Sequence, residues 1–295
     1  MKDSIAILGM GRVGTAVGSL LRSAGYRIVA VASRSVNSAE KGVKYTGGKV
    51  YTNLAGAASQ AECIFITTGD DAIASVCEEI SSKGGAGVGK KVVHMSGAGK
   101  LDLLESARKT GSRIASMHPI QSFASVEGAV KNIPGSTFGV TAEEEIRDWA
   151  VQIIKDLGGV PFFVSDADRP LYHAAACMAS NYLVVLMYMV EEIYKNVGLN
   201  RESAIKAFWP LVTGTINNIE NRGTVQSLTG PISRGDIETV KKHIEAFRGR
   251  FPEFLDMYNI MGVFASDIGL KNKTLTHRKA EEIKSLLLGG GSEDE

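Results

Sequence analysis

Gly9, Gly11 and Gly14 are spaced Gly-x-Gly-x-x-Gly, directly after the apolar run Ser4-Ile-Ala-Ile-Leu8 and at the opening of a helical pattern. In that setting the first glycine permits a tight turn and the second lets backbone approach a pyrophosphate. The third allows close packing of helix on strand. A pyrophosphate would then rest on the amides of a helix N-terminus. The segment Gly9-Met10-Gly11-Arg12-Val13-Gly14 is therefore the expected dinucleotide-binding turn. Choice of cofactor falls to the end of the next strand, Ala32-Ser33-Arg34-Ser35. It offers no acid to bond a ribose diol. Arg34, helped by the Ser33 hydroxyl, can pair with a 2′-phosphate, which an acid would repel. The expected cofactor is NADP(H); the competing reading makes Arg34 an ordinary solvated turn residue.

Ligands of an open α/β sheet lie beyond the carboxyl ends of its strands. One such end carries Thr67-Thr68-Gly69-Asp70-Asp71, whose backbone suits a nicotinamide ribose, with Asp70 or Asp71 equally able to serve as the N-cap of the next helix. Another carries His94-Met95-Ser96-Gly97-Ala98, where Ser96 is expected at the sheet edge and His94 inside the fold. A third carries Ser116-Met117-His118-Pro119. The proline is expected to halt this strand and to hold His118 extended, aiming its imidazole into the cleft. There an imidazole can take or give the proton of a hydroxyl or amine during hydride transfer; a structural turn histidine is the alternative. Further along, His173 and Ser180 share a helix face with Asn181 close by. Such polar groups either satisfy one another in a core or line a pocket. Arg234, in Gly230-Pro-Ile-Ser-Arg-Gly-Asp236, can hold a carboxylate in bidentate fashion, and Asp236 is placed to cap a helix.

The elements that position these groups follow from periodicity. Strands are expected at 4–8, 27–32, 49–51, 63–67, 91–95, 113–116, 137–140 and 162–164, with helical patterns such as 14–23, 72–81, 101–110 and 143–157 between them. The runs are short and nearly continuously apolar, as in a doubly wound parallel sheet of Rossmann type. After residue 164 only helix is expected, at 170–197, 200–221, 236–248, 252–270 and 276–288. The domains are thus read as 1–165 for the dinucleotide, 166–288 as a helical substrate and dimerisation domain, and 289–295 as a disordered tail.

Composition narrows the partners. The 295 residues carry 33 basic and 32 acidic side chains, a net charge of +1, so no basic excess points to nucleic acid or an anionic membrane. Three cysteines without a Cys-x-x-Cys pair argue against a disulfide framework or a zinc site and fit a reducing cytoplasm. The opening apolar run is too short for a signal peptide. Residues 170–189 lack any Asp, Glu, Lys or Arg and approach the length of a membrane span. Their His, Ser, Asn and small alanines instead suggest a buried central helix.

Four of these segments, His94-Met-Ser-Gly-Ala98, Ser116-Met-His-Pro-Ile-Gln-Ser-Phe123, Tyr172-His-Ala-Ala-Ala176 with Ser180-Asn-Tyr182, and Gly230-Pro-Ile-Ser-Arg-Gly-Asp236, resemble the motifs of a family. It comprises uncharacterised Rossmann-like oxidoreductases with a C-terminal helical domain of unknown function, and the likeness covers almost the whole chain. The resemblance implies distant kinship with pyrroline-5-carboxylate reductase, prephenate dehydrogenase and the 6-phosphogluconate dehydrogenase superfamily. In prephenate dehydrogenases a His-Pro after the corresponding strand binds the reacting hydroxyl, which favours His118. The Lys-x-x-Asn signature of hydroxyacid dehydrogenases is absent from the helix after the Rossmann domain, so their chemistry does not carry over intact. Relatives dimerise through the helical domain, and the resemblance implies a homodimer here.

The expectation is thus an oxidoreductase of a small polar molecule, with or without a carboxylate. Ser96, His118 and Asn181 would bind and protonate it, and His173 and Arg234 would contact it. Its rivals are a catalytically silent dinucleotide-binding sensor and a dehydrogenase of prephenate type.

Overall fold

The computed structural model describes residues 2–289. Most of the expected tail, 290–295, lies outside the described residues. The chain divides into two compact units, Met1–Leu183 and Val184–Glu295.

The first unit is built on an eight-stranded sheet: β1 (Ser4–Leu8), β2 (Arg27–Ala32), β3 (Lys49–Tyr51), β4 (Cys63–Ile66), β5 (Lys91–His94), β6 (Arg113–Pro119), β7 (Thr137–Ala142) and β8 (Val160–Phe163), in the order β3-β2-β1-β4-β5-β6-β7-β8. Period-two alternation divides each apolar run between two cores. Ile5, Ile7, Cys63 and Phe65 enter one core, while Ala6, Leu8, Ile64 and Ile66 enter the other. Covering helices are α1 (Arg12–Ser23), α2 (Val36–Thr46), α3 (Leu54–Ser59), α4 (Ile73–Ser82), α5 (Glu105–Lys109), α6 (Val126–Asn132) and α7 (Arg147–Asp156).

Two expectations change here. The sheet is mostly but not wholly parallel, because β7 runs antiparallel to β6, with β8 parallel to β7. That pairing also carries β6 past residue 116, through His118 and Pro119, so the proline does not halt the strand. The ladder explains the tolerance. Glu143 N donates to Ile114 O (3.2 Å) and Ile120 N to Thr137 O (2.9 Å), so every second residue of β6 is a hydrogen-bonded position. Pro119, opposite Phe138, occupies a position between them, where no amide proton is required.

A continuous helix, Arg169–Asn196, begins in the first unit as α8 (Arg169–Cys177), passes through a π-helical turn at Met178–Tyr182 and continues as α9 (Leu183–Asn196). Strands end near residue 164 as read, but the first compact unit extends to Leu183 because α8 packs its Arg169 and Tyr172 onto the sheet. The second unit adds α10 (Arg201–Arg222), α11 (Thr224–Ser227), α12 (Pro231–Arg234), α13 (Ile237–Arg250), α14 (Pro252–Lys271) and α15 (His277–Leu287). Asn200, Asp236 and Thr276 cap α10, α13 and α15. Its core is small, centred on Val240, Ile244, Leu275, Ala280, Ile283 and Leu287.

Residues 170–189 of the helix Arg169–Asn196 were expected to be buried, and in the single chain most of them are exposed. By length and composition alone the helix could cross a membrane, and only 6% of its most apolar window is buried. Met178 is 63% and Tyr188 57% exposed, joined in the second unit by Trp209 at 55% and Phe264 at 61%. One chain does not supply enough surface to cover these side chains.

Candidate active site

A cleft of about 770 Å³ opens at the carboxyl ends of β1, β2 and β4. Gly9 turns the chain with φ +113°, and a Cβ there would stand 2.7 Å from backbone atoms of Thr67 and Thr68. Its amide donates to Ala32 O (2.8 Å), and its carbonyl accepts from the Thr67 hydroxyl (2.6 Å), so the turn is clamped to both neighbouring strands. A Cβ on Gly14 would collide with Gly9 O and the Thr67 hydroxyl, which fixes the close approach of α1. Gly11 differs. It precedes α1 without a side-chain cap, and no atom lies within 4 Å of where its Cβ would be. The N-terminus of α1 is thus open at its N-cap, Gly11, which lines the cleft, the arrangement that receives an anion.

Met10, Ser33, Arg34, Thr67 and Thr68 line the same cleft. Thr68 Oγ1 is buried without a hydrogen-bond partner, an atom that a ligand in the cleft would satisfy. Arg34 is exposed and makes no ion pair among the described residues. Arg12 and Val13 do not line the cleft. Arg12 donates to Phe123 O (2.7 Å), and Val13 packs against the core. Sequence reasoning passed over Ser35, Ser38, Thr52 and Asn53, which do line it. Ser35 and Asn53 cap α2 and α3, a signal that locates helix starts and hence the cleft rim.

Ser96 and His118 do not line this cleft, where His118 was expected to be aimed; they stand in a polar cluster along β5 and β6 that meets it through Asp70, between the cleft residues Gly69 and Asp71. Asp70, beside Thr68, accepts from the Ser96 hydroxyl (2.7 Å), and Ser96 Oγ accepts from Gly99 N (2.9 Å). Asp70 therefore holds Ser96 and does not cap α4. His94 is fully buried, accepting from Ser96 N at Nδ1 (3.2 Å) and donating from Nε2 to Lys100 O (3.2 Å). Beneath the loop lies Arg169, fully buried, an arginine that sequence reasoning missed. It donates from Nε to Gly99 O (2.5 Å), from Nη2 to Ser96 O (2.6 Å) and from Nη1 to Thr141 Oγ1 (3.0 Å). His118 Nδ1 bonds the Tyr172 hydroxyl (2.9 Å), and its ring meets those of Tyr172 and His173 edge-on. A Cβ on Gly97 would strike the His173 ring and stand 2.9 Å from His118 Nε2, so glycine leaves room for this cluster. Burial, with Arg169 next, pushes His94 down to about 4. Burial, with His173 and then Arg169, does the same to His118. Both imidazoles are neutral at pH 7.

Residues 1–119 match the Rossmann-like domain, and residues 136–263 match a domain of unknown function, DUF2520. The chain carries a Rossmann-like domain followed by a DUF2520 domain. No curated protein matches it. Among solved structures, a Bacteroides fragilis protein described provisionally as an NADP oxidoreductase is 21% identical, with 88% of this chain and 96% of that one covered at a TM-score of 0.71. A protein from Thermotoga maritima is 24% identical over 91% and 99%, also at 0.71. A Plasmodium falciparum pyrroline carboxylate reductase with NADP bound is 13% identical over 96% and 98%, at 0.59. At these identities the likeness is one of fold.

Ser96 and His118 come from the Rossmann-like domain, whereas Thr141, Arg169, Tyr172 and His173 come from the DUF2520 segment. Other expected groups stand apart. Ser180 and Asn181 are exposed on the π-helical turn, and their side chains make no hydrogen bond among the described residues. His173 has Cys177 Sγ 3.9 Å from each ring nitrogen. Arg234 is the exposed last residue of α12, in the second unit.

Proposed function

We propose that the protein is an NADP(H)-dependent oxidoreductase, moving a hydride to or from a small polar substrate held beside His118. The observation that carries this reading is the cleft itself. It combines the open N-cap of α1 at Gly11, the unpartnered Thr68 hydroxyl and an unpaired Arg34 with no acid at the end of β2. Gly9 to Gly11 and the α1 N-terminus would hold the pyrophosphate, and Arg34 with Ser33, Ser35 and Ser38 the 2′-phosphate. Bound there, the nicotinamide supplies or accepts the hydride. The chain's own groups hold the substrate. Neutral His118 bonds the reacting atom. Ser96 has its proton committed to Asp70 and so offers an acceptor lone pair. His173 adds a contact from the helix. Solved neighbours of this fold include a reductive aminase described in complex with NADPH and pyrroline-5-carboxylate reductases, so reduction at a C=N bond belongs to the chemistry considered.

The test is a fluorescence titration with both reduced cofactors. NADPH should bind at least about tenfold more tightly than NADH, roughly 1.4 kcal/mol, and Arg34→Ala should remove most of that preference. Equal affinities, or no binding of either, would sink the reading.

The helices α9, α10 and α14 leave large apolar side chains exposed, among them Tyr188, Trp209 and Phe264. We infer that a second copy of the chain covers them as a homodimer. Three free thiols suit the protein to a reducing compartment.

A further inference from the structure

A neutral imidazole carries one proton, and its place decides what the ring can recognise. With the proton on Nε2, His118 presents a donor toward Gly97 and His173; with it on Nδ1, the same face presents only a lone pair. Held down to about 4 by burial and by neighbouring His173 and Arg169, His118 is neutral in ordinary buffers, so the two tautomers are the states that matter. Nδ1 has a single partner, the Tyr172 hydroxyl at 2.9 Å, and Nε2 has no hydrogen bond among the described residues.

The two distances open to the Tyr172 hydroxyl favour one direction for that bond. If Nδ1 donated, the Tyr172 proton would need another acceptor. The one within reach is His118 O, at 3.5 Å. That carbonyl faces Gly139 across the ladder, and at 3.5 Å it is a far longer reach than the 2.9 Å to Nδ1, while the Gly139 amide itself lies against the Tyr172 hydroxyl oxygen. The short bond to Nδ1 is the better use of the Tyr172 proton, and burial raises the hydroxyl pKa, keeping that proton in place. Gly139 completes the arrangement. A Cβ there would collide with the Tyr172 hydroxyl, so this glycine is the seat that lets the ring reach His118.

We propose that Tyr172 is a positioning residue that fixes His118 as the Nε2–H tautomer, so that the free nitrogen donates and the site takes its substrate as the acceptor form, a carbonyl or an imine. The substrate half of this inference rests on the reading of the cleft given above; the tautomer half does not.

The experiment is long-range ¹H–¹⁵N correlation spectroscopy on the full-length protein labelled at histidine nitrogen. Five histidines give a spectrum in which loss of one set of peaks in His118→Asn assigns the residue. The wild type at pH 7.5 should show His118 protonated at Nε2. In Tyr172→Phe the bias should fall by roughly tenfold, the worth of one buried hydrogen bond. Gly139→Ala should act in the same direction, because it displaces the hydroxyl while keeping the tyrosine. A wild-type spectrum with the proton on Nδ1 would overturn the proposal, and it is decisive even if neither variant folds. So would an unchanged tautomer in both variants. Turnover confined to hydroxyl or amine substrates with NADP⁺ would overturn the acceptor preference. A protein that failed to bind NADPH yet showed Nε2–H would sink the oxidoreductase reading and leave the role of Tyr172 standing.

Discussion

His94 and His118 occupy adjacent strands, and each is pushed from 6.5 down to about 4, chiefly by burial. Released into water they titrate near their ordinary value. As pH falls from 6.5 to 4 the unfolded chain therefore binds protons that the folded chain refuses. Stability drains across that window and is fully present above it. For fully buried His94 the loss approaches about 3 kcal/mol by pH 4; half-buried His118 adds a smaller share. Urea denaturation at pH 7.5, 6 and 5 should show a falling midpoint, and His94→Gln should flatten the curve. A midpoint independent of pH would mean that neither histidine is held neutral. At this scale the sequence was partly legible. The glycine turn, Arg34, Ser96 and His118 could be read because each sits at a strand end with a distinctive neighbour. Tyr172 could not, since its partner lies on a strand far away in the chain. Arg169 also stayed hidden, because Asp166-Ala-Asp-Arg-Pro170 reads as a solvated helix start and two of its three acceptors are main-chain carbonyls, which leave no trace in a sequence.

Elements are joined at this site by that same arginine, which binds the first turn of α8 to the loop after β5 and to β7. Arg169→Leu would strip donors from two carbonyls and a hydroxyl in a buried place. It should cost about 2–4 kcal/mol in chemical denaturation. Arg169→Lys keeps the charge but not the planar fork, so its cost should be lower yet still measurable. Wild-type stability in both variants would show the loop to be held by other contacts. Strand positions were well read from period and turn chemistry. Direction was not. β6 and β7 are linked through α6, a connection long enough for a parallel crossover, and nothing local in a short apolar strand records which way it runs.

For the whole molecule, composition predicted a buried helix over 170–189, and the single chain leaves most of it open. A net charge of +1 raises little barrier to self-association. Light scattering at micromolar concentration should give twice the chain mass, and Tyr188→Glu should shift the protein toward monomer. Dependence of solubility on detergent would instead favour a membrane for that face. The helix has a further consequence. Its first turns carry Tyr172 and His173, and its later turns carry the face assigned to the second copy. Partner binding then acts as a ligand of the native state and adds to its stability by mass action. The melting temperature should climb with protein concentration, and the His118 cluster should lose its order first in the most dilute samples.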